Sequence, residues 1–283
     1  MKVYRSARSL TKKVFEIRKC DKTIGLVPTM GFLHDGHRSL IKKARQDTDC
    51  VIVSIFVNPS QFGPKEDLKK YPRNLKKDLS LCKKEGVDIV FAPEPEDMYP
   101  EGYATYVNVE RITDALCGES RPGHFRGVAT VVTKLFNIAM PDIAYFGQKD
   151  AQQAIVIKKM AEDLNMRVRI NVLPIVREKD GLAMSSRNIY LSKEGRIQAQ
   201  SIYRSLKLAK ELSNGGEKDS RKIINKMKEV ISKQPGVKID YVKVVDARDL
   251  KDIKNISGKV LIAVAVRVGK TRLIDNIVIK TRS

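Results

Sequence analysis

Short apolar runs alternate with amphipathic stretches along the first two thirds of the chain. Residues 23–29, 50–57 and 88–92 contain several β-branched side chains and are bounded by turn residues, which is typical of buried strands. Between them, residues 36–46 and 68–85 repeat apolar side chains at the spacing of a helix. Strands separated by helices of this length predict βαβ units and a parallel sheet.

The same alternation continues to residue 176. We predict a strand at 103–109, a buried helix at 127–139, a strand at 143–146, a helix at 151–164 and a strand at 168–176. Parallel strands linked by helices are typical of a doubly wound sheet. The expected fold class is therefore α/β, with a Rossmann-like doubly wound parallel sheet.

A different order of elements begins near residue 192. Two helices with polar faces are predicted first and three β-rich runs follow, at 193–213, 217–233, 239–245, 259–268 and 272–279. Helices followed by strands predict a smaller C-terminal α+β domain. We place the two domains at residues 1–182 and 183–283.

The composition is that of a folded globular protein. Hydrophobic residues make up 42% of the chain, which is too high for a disordered basic tail. No apolar run approaches the roughly 18 to 20 residues that a membrane span needs, and the N-terminus lacks the apolar segment of a signal peptide. The four cysteines include no Cys-x-x-Cys pair. We therefore expect a cytoplasmic protein with reduced thiols and no membrane partner.

The net charge of +21 suggests an anionic partner. Nucleic acid, an anionic membrane surface and a phosphate-rich small molecule all fit this charge, and composition does not choose among them. Many lysines of the C-terminal third recur at helical spacing between apolar positions. Such spacing is typical of a solvated helix face, so the charge by itself does not define a function.

Two histidines follow the first predicted strand, in the segment PTMGFLHDGH at 28–37. In a doubly wound sheet, phosphates bind at this position to the N–H groups of the following helix. The segment has no Gly-x-Gly-x-x-Gly motif, and a P-loop would need Lys and Ser or Thr where His37 and Arg38 stand. A zinc site would lack a third ligand. What remains is His34-x-Gly36-His37, whose imidazoles can donate hydrogen bonds to a phosphoryl group that gains charge.

A second polar loop follows the last predicted strand of the sheet. It reads GLAMSSR at 181–187, and its two hydroxyls and guanidinium are suitable donors to phosphate. The two loops together resemble the HIGH and KMSKS-like signatures of the nucleotidylyltransferase superfamily. Members of that superfamily transfer a nucleoside monophosphate from a nucleoside triphosphate.

Further segments narrow the resemblance to one family. VSIFVNPSQF at 53–62, RPGHFRG at 121–127, FGQKDAQQ at 146–153 and RLIDN at 272–276 join the two loops. With these motifs in this order, the chain resembles the pantoate–β-alanine ligases nearly from end to end. The resemblance implies that pantoate attacks the α-phosphate of ATP, giving pantoyl adenylate and pyrophosphate. The amine of β-alanine then attacks the acyl carbon, which releases AMP and pantothenate.

The resemblance also implies which residues act on ATP. His37 is the expected proton donor, and His34, Lys149 and Arg187 are further expected catalytic residues on the phosphates. The expected ATP-binding residues are Met30, Gly31, Phe32, Leu33, His34, Asp35, Gly36, His37, Gly147, Gln148, Lys149, Asp150, Val176, Met184, Ser185, Ser186 and Arg187.

The remaining implied roles concern the other ligands. Gln61 and Gln153 are expected to bind pantoate, and Gln61 borders the β-alanine site. Asn58 is also expected to reach pantoate, with a strand cap as the alternative. Amide side chains can donate and accept hydrogen bonds at the polar end of pantoate without adding charge. Mg²⁺ is expected with ATP and Asp78 is its candidate ligand, with a solvated helix carboxylate as the alternative. The family further implies a homodimer, and on the sequence itself no nucleic-acid partner is expected.

Some alternatives stay open. His124 and Arg126 precede a predicted buried helix, and they either cap it or face the pyrophosphate. The alternative function is another HIGH-motif nucleotidylyltransferase of cofactor synthesis, which would retain the nucleotide on its product. The charge also suggests an RNA-binding protein, but aromatic residues make up only 6% of the chain and no RNP motif is visible. We interpret most of the positive charge as surface composition.

Overall fold

The computed structural model describes residues 1–64 and 66–280. The strands are β1 (Lys2–Tyr4), β2 (Ile24–Thr29), β3 (Cys50–Ile55), β4 (Ile89–Phe91), β5 (Ile143–Gly147), β6 (Arg169–Leu173), β7 (Val237–Asp246), β8 (Lys259–Val268) and β9 (Thr271–Lys280). The α-helices are α1 (Ala7–Arg18), α2 (Asp35–Asp47), α3 (Leu75–Lys84), α4 (Pro95–Met98), α5 (Cys117–Ser120), α6 (His124–Ala139), α7 (Ala151–Asp163), α8 (Lys193–Asn214) and α9 (Ser220–Ser232).

The first six strands form a parallel sheet in the order β1-β4-β3-β2-β5-β6. β2 lies inside the sheet, between β3 and β5. The chain builds β3 and β4 on one side of β2 and then β5 and β6 on the other, so the strand order reverses between β2 and β5. Doubly wound sheets bind ligands outside the carboxyl ends of the strands at such a reversal. The α/β, Rossmann-like prediction is confirmed.

Both faces of the parallel sheet are buried, because alternate side chains of a strand point to opposite faces. Ile24, Leu26 and Ile52 belong to one core cluster, together with residues of α1, α6 and α7. Val27 and Val53 belong to another, together with residues of α2 and α3. This burial on both faces explains why β2 and β3 are continuous apolar runs in the sequence.

The C-terminal part forms a smaller α+β unit, as predicted. β7, β8 and β9 pair antiparallel, and one face of this sheet packs with α8 and α9 in a separate core cluster. Val245, Leu261 and Ala263 instead join the core of the first unit. The predicted domain boundary between 182 and 183 falls in the connection from β6 to α8 and stays a prediction.

The predicted strand at 103–109 is wrong. Among the residues that the structure describes, this segment has no ladder partner, and the N–H of Val107 donates to Thr130 Oγ1 at 3.0 Å. The rings of Tyr103 and Tyr106 contact each other edge to face, with centroids 5.5 Å apart. The alternating pattern of the segment therefore reflects packing on α6 rather than strand pairing.

Two further boundaries differ from prediction. The predicted helix at 68–85 is split, because α3 begins only after Asn74, which follows Pro72 and caps the helix by accepting the N–H of Lys77. The sequence pattern also does not predict β1 and α1. β1 is only three residues long, so alternation has little room to appear.

The four cysteines differ in burial, and their reduced state stays a prediction. All four cysteines are free, with Cys20 exposed and Cys50, Cys82 and Cys117 buried. Within the described ranges, no helix has both the length and the apolar character to cross a membrane. The cytoplasmic location stays a prediction.

Candidate active site

The loop between β2 and α2 makes a sharp turn that a carboxylate holds in place. Gly31 and Phe32 have positive φ angles of 79° and 50°. The N–H groups of Phe32 and Leu33 each donate to the carboxylate of Asp78 at 2.8 Å. Burial raises the pKa of Asp78, while these backbone hydrogen bonds oppose the rise. Asp78 therefore fixes the loop between β2 and α2 in its turn. Its role as a ligand of Mg²⁺ stays a prediction.

Backbone N–H groups fix both histidines at the start of α2. His34 caps the helix, and its Nδ1 accepts a hydrogen bond from the N–H of Gly36 at 3.2 Å. The Nδ1 of His37 accepts one from the N–H of His34, also at 3.2 Å. A neutral imidazole that accepts at Nδ1 carries its proton on Nε2. Each ring therefore offers an Nε2–H donor to the cleft that both residues line.

Both imidazoles are neutral at neutral pH. Burial lowers the pKa of His34 to about 4, and the positive charge of Lys149 acts in the same direction. Burial also lowers the pKa of His37 well below its ordinary value, with His34 and Lys149 adding to the effect. The rings are thus hydrogen-bond donors rather than acids in the free protein. A bound anion would raise both pKa values.

The loop after β5 brings a lysine to the same cleft. β5 lies beside β2, and the 3-10 turn Gln148–Asp150 follows it directly. Lys149 and Asp150 line the cleft, and the Lys149 Nζ is 3.7 Å from Asp150 Oδ1. The side chain of Gln148 instead contacts the small unit, where its Nε2 donates to Asn276 Oδ1 at 3.3 Å.

The loop after β6 packs against the histidine loop. The carbonyl of Val176 accepts the N–H of Met184 at 3.0 Å, which closes the base of this loop. Ser186 Oγ donates to the carbonyl of Phe32 at 3.3 Å. Val176, Met184, Ser185 and Ser186 all line the cleft. The two sequence motifs are therefore in contact.

Arg187 is held by a carboxylate in this structure. Its Nε and Nη2 donate to the two oxygens of Asp67 at 2.9 and 2.8 Å. Burial raises the pKa of Asp67, but the hydrogen bond and charge of Arg187 outweigh burial, and the pKa is lowered overall. The guanidinium also lies 5.8 Å from the ring centroid of Tyr71. Any anion that binds Arg187 competes with Asp67.

Amide side chains form another part of the cleft. Asn58 caps the 3-10 turn Pro59–Gln61, and its Nδ2 donates to Gln61 Oε1 at 3.2 Å. Gln61 Nε2 donates to Met30 Sδ at 2.9 Å. Gln153 lines the same cleft from α7. All three predicted pantoate ligands thus share the cleft with the histidines.

The N-terminal half of α6 packs closely against this amide cluster. The carbonyl of Gly127 accepts a hydrogen bond from Asn58 Nδ2 at 3.1 Å. A Cβ at Gly127 would lie only 2.3 Å from the carbonyl oxygen of Ser60. The helix then gives the cleft an apolar wall, formed by Val128, Val131, Val132 and Leu135.

His124 is hydrogen-bonded to the backbone of Gln61. Its Nδ1 donates to the Gln61 carbonyl at 2.9 Å, and its Nε2 accepts from Arg121 Nη1 at 2.9 Å. Arg121 in turn makes two hydrogen bonds of 2.7 Å with Glu66. Burial, assisted by Arg121, lowers the pKa of His124 to about 4. His124 therefore supports the amide cluster, and Arg126 lies away from the cleft with its Cζ 3.9 Å from the centroid of the Tyr106 ring.

Most of the predicted site residues line this one cleft, namely Met30, His34, Gly36, His37, Asn58, Gln61, Gly147, Lys149, Asp150, Gln153, Val176, Met184, Ser185, Ser186 and Arg187. The other predicted residues shape or flank the loops, namely Gly31, Phe32, Leu33, Asp35, Asp78 and Gln148. Sequence reasoning missed Glu66, Asp67 and Tyr71. Glu66 and Asp67 lie in a polar segment without periodicity, and Tyr71 lies in the predicted helix at 68–85. Only the fold shows which arginines these residues contact.

Comparison with known proteins gives a consistent result along the chain. A family model described as pantoate-beta-alanine ligase matches residues 2–278. The pantothenate synthetase of Acetivibrio thermocellus is 55% identical over 280 residues, which cover 99% of this chain and 100% of that protein. The pantothenate synthetase of Caldicellulosiruptor bescii is 55% identical over 282 residues, covering 100% of both chains.

Two solved structures share the fold of this chain. Pantothenate synthetase from Thermus thermophilus matches with a TM-score of 0.94 and 42% identity, over 98% of this chain and 99% of that chain. Pantoate-β-alanine ligase from Francisella tularensis, solved in complex with β-γ ATP and β-alanine, matches with a TM-score of 0.80 and 35% identity, over 98% and 97%. The likeness therefore includes both units of the molecule.

Proposed function

The chain belongs to the pantoate–β-alanine ligase family, and from this premise we propose how its cleft joins the two substrates. The protein is an ATP-dependent ligase that condenses pantoate with β-alanine to give pantothenate. One observation carries the proposal for the site. A single cleft contains the two histidines, Lys149, the loop of Arg187 and an amide cluster beside an apolar wall.

ATP is proposed to lie between the three loops that carry the predicted nucleotide ligands. During transfer, the α-phosphate gains charge on its equatorial oxygens and needs fixed donors and cations around it. The Nε2–H groups of His34 and His37 supply neutral donors, and Lys149 supplies positive charge. Arg187 releases the carboxylate of Asp67 and binds the triphosphate instead. Together these groups favour departure of pyrophosphate.

Pantoate is proposed to occupy the amide end of the cleft. Asn58, Gln61 and Gln153 bind its hydroxyls and carboxylate, while the apolar side chains of α6 contact its gem-dimethyl group. A carboxylate oxygen of pantoate attacks the α-phosphorus of ATP, and pyrophosphate leaves. The uncharged amine of β-alanine, bordered by Gln61, then attacks the acyl carbon. The acyl–phosphate bond breaks, AMP leaves, and the amine nitrogen loses a proton.

Mg²⁺ is proposed to enter with the phosphates of ATP. Within residues 1–64 and 66–280, no group of three His, Cys, Asp or Glu side chains could hold a metal ion. Both oxygens of Asp78 already accept backbone N–H groups. Mg²⁺ is commonly bound by one or two carboxylates together with substrate phosphates, so no all-protein site is required. A homodimer and a cytoplasmic location are further proposals that rest on the family resemblance.

The direct test is the stoichiometry of AMP. With ATP, Mg²⁺, D-pantoate and β-alanine, the ligase releases one AMP for each β-alanine consumed. Another nucleotidylyltransferase of cofactor synthesis would retain the nucleotide on its product. AMP release that does not depend on β-alanine would contradict the proposed reaction.

The role of His37 has its own test. We expect His37→Ala to lower kcat by about 100-fold, because a donor to the charged transition state is lost. The variant Lys42→Ala changes an exposed side chain of the same helix and should retain full activity. Urea midpoints of the three proteins show whether the loss comes from unfolding. Undiminished turnover in His37→Ala would exclude its role.

A further inference from the structure

Two adjacent polar side chains of β9 lie almost fully buried behind the cleft. Asp275 and Asn276 are each 3% exposed. Consecutive residues of a strand point to opposite faces, so a pair of buried polar neighbours needs partners on both sides. In this chain, the partners belong to two different loops that are proposed to bind ATP.

Asn276 is bonded to the turn that carries Lys149. Its Nδ2 donates to the carbonyls of Gln148 and Lys149 at 2.9 and 3.0 Å. Its Oδ1 accepts a hydrogen bond from Gln148 Nε2 at 3.3 Å. The whole amide is therefore used by this turn. Because two of the contacts are to backbone, Asn276 fixes the path of the turn rather than one side chain.

Asp275 is bonded to the base of the loop that carries Arg187. It accepts hydrogen bonds from Nη1 and Nη2 of Arg177 at 2.6 and 3.1 Å. Arg177 Nη1 also donates to the carbonyl of Gly181 at 3.1 Å, and Arg177 pairs with Ala183 in an antiparallel bridge. The ion pair thus holds the hairpin from which the Ser-Ser-Arg segment extends.

We infer that Asp275 and Asn276 are positioning residues for ATP, because one rigid strand of the small unit fixes both the Lys149 turn and the Arg187 loop. Neither side chain lines the main cleft, although both line a smaller adjoining pocket together with Lys149 and Asp150. All their side-chain hydrogen bonds to other described parts of the chain go to the two loops, so both act through the loops that they hold. The position of β9 thereby sets the distance between the ammonium group of Lys149 and the guanidinium group of Arg187. The inference rests on the proposed function of these loops in ATP binding.

The test replaces the amide by an isosteric carboxylate. Asn276→Asp exchanges the Nδ2 donor for an acceptor that faces two carbonyls. We expect the KM for ATP to rise about 10-fold and the rate of pantoate-dependent pyrophosphate release to fall by about 10- to 100-fold, because the turn is displaced. The KM for β-alanine should stay within about 2-fold of wild type.

A control variant tests whether a new carboxylate in the small unit changes the kinetics wherever it is placed. Asn225→Asp makes the same substitution at an exposed site of α9 in the same unit, and it should leave all three KM values unchanged. Asp275→Asn tests the other loop and should also raise the KM for ATP selectively. If Asn276→Asp does not fold by circular dichroism, the smaller neutral variant Asn276→Ser takes its place.

The outcomes distinguish positioning from general packing. A selective rise of the KM for ATP, with the melting temperature of the free protein close to wild type, supports the inference. Equal effects on all substrates, or an unchanged KM for ATP in the folded variants, overturns it. Failure of the proposed function would appear separately, as absence of pantothenate and AMP formation in the wild-type protein.

Discussion

The hydrogen bonds that hold the two histidines at the start of α2 also oppose protonation of their rings. His34 accepts the N–H of Gly36 at Nδ1, so its ring cannot be protonated there without losing the cap of α2. His37 has the same arrangement with the N–H of His34. Fixed positive charge for a triphosphate therefore comes from Lys149 and Arg187. The imidazoles add directional donors at positions that the helix backbone determines.

At the residue scale, Asp67 is expected to compete with ATP for Arg187. The substitution Asp67→Asn retains the shape of the side chain but removes the charge that holds the guanidinium. A partly exposed ion pair contributes little free energy, so we expect the KM for ATP to fall by only about 3-fold. Steady-state kinetics with varied ATP measure this change.

The control for this prediction is Asp163→Asn. It removes an exposed carboxylate that pairs with Lys159 on α7, away from the cleft, and should leave the KM for ATP unchanged. A higher KM for ATP in Asp67→Asn would contradict competition. It would show instead that Asp67 orients Arg187 toward the nucleotide.

The site residues that the sequence predicts are those in compact motifs. His34 and His37 are separated by one helical turn, and Ser185 to Arg187 are consecutive, so their proximity follows from local structure. Asp67 and Glu66 form ion pairs with Arg187 and Arg121, which are distant in the sequence. No local pattern indicates such a pairing. For the same reason, the RLIDN segment contributes to the resemblance, but its contacts with two loops appear only in the fold.

At the element scale, the close approach of α6 to the turn Pro59–Gln61 shapes the amide end of the cleft. A Cβ at Gly127 would lie 2.3 Å from a backbone oxygen, so Gly127→Ala must displace the turn or the helix. We expect the KM for pantoate to rise about 10-fold and the free energy of unfolding to fall by about 1–3 kcal/mol. Kinetics with varied pantoate and urea unfolding measure the two effects.

Gly63→Ala is the matched control, since the nearest atom to a Cβ at Gly63 lies 3.8 Å away in the same stretch of chain. Its kinetics should resemble those of wild type. If Gly127→Ala changes stability but leaves the KM for pantoate unchanged, the proposed pantoate site is not at this turn.

Elements with strong periodicity are also those that the sequence predicts well. β8 is a continuous apolar run over residues 260–266, and α6 repeats apolar side chains at the spacing of a helix. The order of the strands within the sheet appears only in the fold. Residues 103–109 have a strand-like composition without a strand partner, because their tyrosines and valines pack against α6. Pairing depends on available neighbours, which the pattern of one segment does not contain.

At the scale of the whole molecule, the positive charge is largely neutralised near the cleft. Arg187, Arg177 and Arg121 each form an ion pair with a carboxylate, at Asp67, Asp275 and Glu66. The net charge of +21 already subtracts these carboxylates, so it describes the surface as a whole and not the cations that are free at the cleft. Partly buried ion pairs of this kind instead fix the positions of the loops around the cleft.

The three histidines also predict how global stability depends on pH. Burial lowers the pKa of His34 and of His124 to about 4, whereas an unfolded chain titrates its histidines near about 6.5. Between these values, the unfolded chain binds protons that the folded protein does not, so stability decreases as the pH falls. We expect the free energy of unfolding to drop by about 1 kcal/mol per histidine between pH 7 and pH 5.5.

Urea unfolding at the two pH values measures this loss, and His124→Asn assigns part of it. Carboxyl groups titrate mostly below this window, so they contribute little to the difference. Between pH 7 and pH 5.5, the free energy of unfolding should fall less in His124→Asn than in wild type. The difference between the two proteins is the contribution of one histidine. Equal pH dependence in the two proteins would mean that His124 is not held neutral by burial and Arg121.

The same measurement with ATP present should show a smaller loss of stability between pH 7 and pH 5.5, because bound phosphates raise the pKa of His34 and His37 toward the unfolded value.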